Sequence, residues 1–202
     1  MRALDPILRQ LTLANQLTLL RLAAIPAFAL LLLEGERGWA LVVYLGAAIT
    51  DRLDGIAARR LGQFTPLGAF LDPAADKILM LVTYLLLALP DHPRTFPQFA
   101  LAHHVPAWLT LLVVLRDLLI VIVALGLYLA HHETRFAPSR LGKWNTGWEM
   151  GTAGVFLLAN VWDHVPEALL VFGVWSTATM LVASGVAYLM RLGQSMRAAS
   201  GA

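Results

Sequence analysis

The chain has 202 residues, of which 58% are hydrophobic and only 14% charged, with a formal net charge of +2 and no cysteine. An average soluble domain carries roughly 25% charged residues, so the composition points to a membrane protein with a single compact membrane domain. It argues against a nucleic-acid partner, and the missing cysteines exclude disulfides, thiol catalysis and cysteine-type zinc sites. In residues 1–15, Leu4, Ile7, Leu8, Leu11 and Leu13 stand among polar neighbours and predict a short amphipathic helix in the membrane interface. The first apolar span runs from Leu17 to Leu33. No small-residue cleavage site follows it promptly, so it reads as a retained span rather than a cleaved signal. A polar turn, Glu34 to Gly38, leads to a second span from Trp39 toward Arg59, apolar at first and charged later. A loop with Gly62 and Pro66 follows. The third span begins near Asp72 and ends near Pro90.

Residues 90–106 hold four prolines and three histidines and read as a loop. The fourth span covers Val105 to Leu129, the fifth Thr146 to Val161 and the sixth Ala168 to Met190, with a polar, basic stretch at 131–145. The expected architecture is all-α and polytopic. Six transmembrane helices occupy 16–192, an amphipathic segment precedes them at 1–15, and a tail follows at 193–202. Lys and Arg cluster on one set of loops, leaving only Arg37 and Arg94 for the other set. The positive-inside rule then puts both termini, and the face carrying the acidic segment, in the cytoplasm of a cell-membrane protein.

The informative stretch is TDRLDGIAARRLGQFTPLGAFLDPAADK, residues 50–77. Asp51 and Asp54 are three apart and Asp72 and Asp76 four apart, so on helices each pair shares a face. A charged side chain inside a membrane helix costs about 2.5–3.5 kcal/mol on insertion scales, and four clustered carboxylates repel one another. A divalent cation resolves both problems. A set of oxygen donors alone suits Mg²⁺, Mn²⁺ or Ca²⁺, and two ions would stabilise a displaced phosphate. Gly55, Ala57, Ala58, Gly68 and Ala69 leave room for a phosphorylated group beside the backbone. Arg59 adds a fork of donors suited to phosphate. Two other readings stand beside this one: structural ion pairs with Arg52, Arg59, Arg60 and Lys77, and a proton- or ion-conducting path.

The pattern Asp51-x2-Asp54-Gly55-x2-Ala58-Arg59-x8-Gly68-x3-Asp72-x3-Asp76 resembles, at every fixed position, the signature of the CDP-alcohol phosphotransferases. Asn15, Thr18 and Arg21 match that family's Asn-x2-Thr-x2-Arg opening. LGAFLDPAADK is similar to the bacterial phosphatidylglycerophosphate synthase branch, as are Arg116-Asp117 and Gly142-Lys143 with Thr146. The resemblance covers about residues 14–190. It implies transfer of a phosphatidyl group from CDP-diacylglycerol to an alcohol with release of CMP. Asp51, Asp54 and Asp72 would hold Mg²⁺ or Mn²⁺, with two ions expected. Asp76 would be the base and a further ligand. Thr18, Asp54, Gly55, Ala58, Arg59 and Gly68 would line the CDP site. A homodimer among membrane lipids is the implied assembly.

For the acceptor, glycerol 3-phosphate calls for a basic pocket, and Arg116, Arg140 and Lys143 are the candidates. An arginine within a span needs a reason, although pairing with Asp117 also supplies one. Arg140 and Lys143 equally suit attraction to anionic lipid. Phosphatidylglycerol is the alternative acceptor. Residues 138–146 and the Arg116-Asp117 pair also resemble the cardiolipin synthase branch, and Trp148 and Glu149 depart from the synthase pattern for glycerol 3-phosphate. The pairs His103-His104 and His131-His132 are read as loop or span ends. Trp39, Trp108, Trp144 and Trp162 are read as an interfacial belt, and Gly151, Gly154, Gly173 and Gly185 as sites of close helix packing.

Overall fold

The computed structural model describes the backbone of residues 13–61, 66–91, 95–131 and 140–200. Side chains are described over the same stretches except at 13–14, 52–61, 66–70, 123–131, 140, 141, 143, 191, 192 and 194–200. The described residues form six α-helices and no strand: α1 (Leu13–Leu33), α2 (Arg37–Leu61), α3 (Pro66–Ala88), α4 (Ala107–His131), α5 (Arg140–Ala159) and α6 (Glu167–Ser200). Two of them, over Asn15–Leu33 and Glu167–Met190, are long and apolar enough to cross a membrane by length and composition. The amphipathic segment expected over the first residues lies almost wholly outside the described residues.

The helices fall into two compact units. The first holds α1, α2, α3, the following segment to residue 104, and residues 156–164. Here α1 is the central helix, packing against both α2 and α3. Its buried side is one stripe: Asn15, Thr18, Arg21, Ile25, Phe28 and Leu32, steps of three and four that follow the 3.6-residue period. The stripe is polar in its first half and apolar in its second. Leu19, Leu20 and Leu30 point outward. The matching side of α2 is Ala40, Tyr44 and Ala47, with the Tyr44 ring 6.0 Å from that of Phe28. Asp51 is the next residue on the same stripe.

Gly35 stops α1. Glu36 N–H donates to the Leu31 carbonyl at 2.8 Å and Gly35 N–H to that of Leu32 at 3.2 Å, the two bonds of a Schellman cap. Gly35 has φ +80, and a Cβ there would meet the Gln98 carbonyl oxygen at 2.7 Å. Both the left-handed backbone and the close approach require glycine. Asn160 fixes the loop that supplies Gln98. Its side-chain oxygen accepts from the backbone N–H of Ala102 (2.8 Å) and His103 (3.1 Å). Its amide donates to the carbonyls of His103 (2.8 Å) and Phe156 (2.9 Å). Asp91 closes the same loop by accepting from Leu101 N–H at 3.2 Å, with His104 Nε2 3.7 Å away.

The helix bounds differ from the sequence expectation in three places. Pro66 is not in a loop; it opens α3, six residues before Asp72. Proline suits the first helical position because its missing N–H has no intrahelical partner there and its φ is already helical. Likewise α5 starts at Arg140 rather than Thr146, and α6 continues to Ser200 rather than stopping near Met190. Hydropathy marks where a helix leaves apolar surroundings, whereas the backbone hydrogen bonds continue into the polar flank.

The second unit holds α4, α5 through Val155, and α6. Trp108 and Trp175 set their ring centroids 5.6 Å apart between α4 and α6. Between α5 and α6, Thr152 and Thr177 share a hydrogen bond of 2.8 Å, and a Cβ added at Gly173 would press on Thr152 Cγ2 at 3.2 Å. The helices thus pass closely at Gly173, while Gly151 and Gly185 face open space within the chain. Trp39, Trp108, Trp144 and Trp162 all lie exposed.

Candidate active site

The polar half of the α1 stripe faces the acids. Thr18 and Arg21 are three residues apart on α1, and Asp72 and Asp76 are four apart on α3, so the two pairs meet in register. Thr18 Oγ1 donates to Asp72 Oδ1 at 2.5 Å, and Arg21 Nη1 donates to Asp76 Oδ1 at 2.9 Å. The same Arg21 nitrogen lies 3.1 Å from Asp51 Oδ1 on α2. One side chain of α1 thus joins a carboxylate of α2 to a carboxylate of α3. The Arg21 side chain is wholly buried, whereas Asp51 and Asp76 keep 30% and 23% of their side-chain surface open. The acids are reachable and the cation behind them is not.

Pro73 stands inside α3 between the two acids. Its missing N–H leaves the carbonyl four residues earlier without a helical donor and loosens the helix at that point. Ala75, between Pro73 and Asp76, is fully buried.

The structure brings together Thr18, Asp51, Asp72 and Asp76 of the residues expected from sequence. Asp54, Gly55, Ala58 and Arg59 lie on α2 and Gly68 on α3, with side chains outside the described residues. Among the described residues no group of three or more His, Cys, Asp or Glu stands ready to hold a metal; the Asp54 side chain lies outside that set. With contacts of 3.1 and 2.9 Å to one nitrogen, the Asp51 and Asp76 oxygens are at most the sum of the two apart, about 6 Å. Hard cations take carboxylate oxygens at about 2.0–2.6 Å, and paired ions sit about 3.5–4 Å apart. The donor type and the spread of the acids therefore fit one or two such ions.

In the second unit Arg116, on α4, is buried and engaged. It donates to Asp117 Oδ1 at 2.7 Å and to Ser184 Oγ at 3.2 Å. Arg140 and Lys143 lie on α5 with side chains outside the described residues. The sequence assigned no site role to Asn145 or Glu149. Both are wholly buried on α5, and the Asn145 amide donates to the Glu149 carboxylate.

The match to known families is decisive on identity. The family model for CDP-alcohol phosphatidyltransferases matches residues 11–189. The chain belongs to this family. It is therefore a transferase of phospholipid biosynthesis from a membrane-embedded family, as the aspartate signature implied. Among relatives, the cardiolipin synthase (CMP-forming) of Streptomyces coelicolor is 32% identical over 200 residues, covering 94% of this chain and 86% of its own length. The cardiolipin synthase (CMP-forming) of Oryza sativa is 35% identical over 192 residues, covering 88% of this chain. A probable phosphatidylglycerophosphate synthase of Mycobacterium tuberculosis is 36% identical over 120 residues, covering 56% of this chain. The chain spans about half the length of the last two, 54% and 52%. Arg21, which stands between Asp51 and Asp76, is the site residue to which the sequence assigned no role beyond its place in the opening motif. Its signal was available: a charge in an apolar run needs a partner, and Arg21 shares a helix face with Asn15 and Thr18.

Proposed function

We propose that this CDP-alcohol phosphatidyltransferase moves a phosphatidyl group from CDP-diacylglycerol to phosphatidylglycerol, forming cardiolipin and releasing CMP. The observation that carries the chemistry is the convergence of Asp51, Asp72 and Asp76 on the Thr18–Arg21 face of α1. Asp51, Asp54 and Asp72 would hold Mg²⁺ or Mn²⁺, with Asp76 at the same place. The ions supply neutralisation of the diphosphate and of the departing CMP. Asp76 takes the proton of the acceptor hydroxyl as its oxygen bonds to the β-phosphorus and the bond from that phosphorus to the CMP oxygen breaks. The partial exposure of Asp76 is what gives an acceptor hydroxyl access to it. Thr18, Gly55, Ala58, Arg59 and Gly68 line the CDP site in this reading.

Two observations favour phosphatidylglycerol as acceptor. The Streptomyces relative named cardiolipin synthase matches along nearly the whole chain. Arg116, the foremost cationic candidate for a dianionic acceptor, is already paired with Asp117. Glycerol 3-phosphate is the second reading, carried by the mycobacterial relative and by Arg140 and Lys143 at the start of α5. The deciding assay supplies purified protein with CDP-diacylglycerol, Mg²⁺ and one acceptor at a time. CMP release with phosphatidylglycerol alone supports cardiolipin formation, and release with glycerol 3-phosphate alone reverses the assignment. Ion flux in liposomes with no CMP from any alcohol overturns the transferase reading of this chain.

All six helices are proposed to span the cell membrane, with both termini and the acids on the cytoplasmic side and a homodimer as the working assembly. The chain has no cysteine, so single cysteines introduced at the loops report sidedness without background labelling. Labelling of residue 98 from the cytoplasmic side would overturn this topology.

A further inference from the structure

Among the described residues Arg21 is the largest side chain that is wholly buried, and its guanidinium is a cation. It reaches Asp51 and Asp76 with one nitrogen, at 3.1 and 2.9 Å. A positive charge in contact with one oxygen of each carboxylate stands where an ion shared by both acids would be drawn. Hard ions take carboxylate oxygens at about 2.0–2.6 Å, so an ion sharing these two acids would stand close to the guanidinium, and two neighbouring cations repel each other.

We propose that Arg21 is a placeholder cation. Without metal it neutralises Asp51 and Asp76 and holds α2 and α3 on α1; when metal binds, it gives up at least one of the two carboxylates. This rests on the reading of the aspartates as metal ligands. Arg21 is then a positioning residue, and metal and guanidinium compete for the same oxygens. Competition is reciprocal: whatever removes the guanidinium must strengthen metal binding by the factor by which metal weakens the guanidinium contact. A purely structural arginine predicts something else, a loss of stability equal with and without metal and an unchanged metal affinity.

The test uses the full chain in lipid nanodiscs and reads Mn²⁺ binding by electron paramagnetic resonance alongside thermal unfolding. Arg21→Gln is expected to lower the unfolding midpoint more without metal than with it, and to tighten Mn²⁺ binding by about fivefold or more. Arg21→Lys, which keeps the charge, is expected to bind Mn²⁺ close to wild type. Wild-type or weaker Mn²⁺ binding in Arg21→Gln overturns the proposal and leaves the metal site standing. A wild-type protein that binds no Mn²⁺ removes the metal reading first, so the two failures are distinct. If Arg21→Gln does not fold, the Arg21 side-chain N–H resonance of the wild-type protein, assigned with Arg21→Lys, decides. It is expected to shift on saturation with Mg²⁺, and an unmoved resonance overturns the proposal.

Discussion

Thr18 on α1 donates its hydroxyl to Asp72 on α3 at 2.5 Å, one helical step from the contact of Arg21 with Asp76. Thr18 is wholly buried. A hydrogen bond to a charged group contributes about 1.5–3 kcal/mol. Thr18→Val is expected to lower kcat/KM by roughly tenfold or more on that scale, and Thr18→Ser to recover most of it. CMP release at saturating metal checks this. Equal activity in Thr18→Val and wild type would detach Thr18 from the site.

Asp76→Asn is expected to abolish CMP release while CDP-diacylglycerol still binds, because the amide cannot accept the acceptor proton. Retained turnover removes Asp76 as base. Chelation should silence the wild-type enzyme, with Mg²⁺ or Mn²⁺ restoring it. Asp51→Asn is expected to raise the metal concentration needed for half-maximal rate.

Arg116 and Asp117 behave as a pair in this fold. Removing one partner of a buried pair costs about 3–5 kcal/mol; with Asp117 20% open to solvent, the lower end applies. Arg116→Gln is expected to lower the unfolding midpoint in detergent, and the double change Arg116→Gln/Asp117→Asn to recover much of it. Full stability of the double variant with a raised KM for one acceptor would instead place Arg116 against that acceptor.

Asn160 satisfies two backbone N–H groups and two carbonyls with one amide. Asn160→Ala strips all four partners at once, each net bond contributing about 0.5–1.5 kcal/mol. A loss of roughly 2–6 kcal/mol follows on that scale, read by chemical or thermal unfolding. Gly35→Ala is expected to destabilise the same loop, through the strain of φ +80 and the clash with the Gln98 carbonyl.

Much of the site was legible because its parts repeat at helical spacing. The acids at 51 and 54 and at 72 and 76 needed only the rule that residues three and four apart share a face. The family signature then assigned them work. Arg21 was harder to read. The opening motif marked its position without saying what it meets, and only tertiary packing shows it turned inward between two helices. The pairing of Arg116 with Asp117 was visible as a neighbouring opposite charge, but Ser184, 68 residues away, was not. Asn160 carried no sequence signal, since its partners are backbone atoms that any residue provides. Helix ends were misplaced where apolar runs stop before the hydrogen bonds do, at Pro66, Arg140 and Ser200.

The central place of α1 also has a consequence for how the protein is made. Arg21 leaves the ribosome first, and Asp76 follows 55 residues later, roughly 3–10 s at about 5–20 residues per second. During that interval the arginine has no acid on α3 to meet, and its insertion costs about 2.5–3.5 kcal/mol. Asp51 on α2 comes within reach before α3 does, so the arginine gains its counter-charges in two steps as the chain grows.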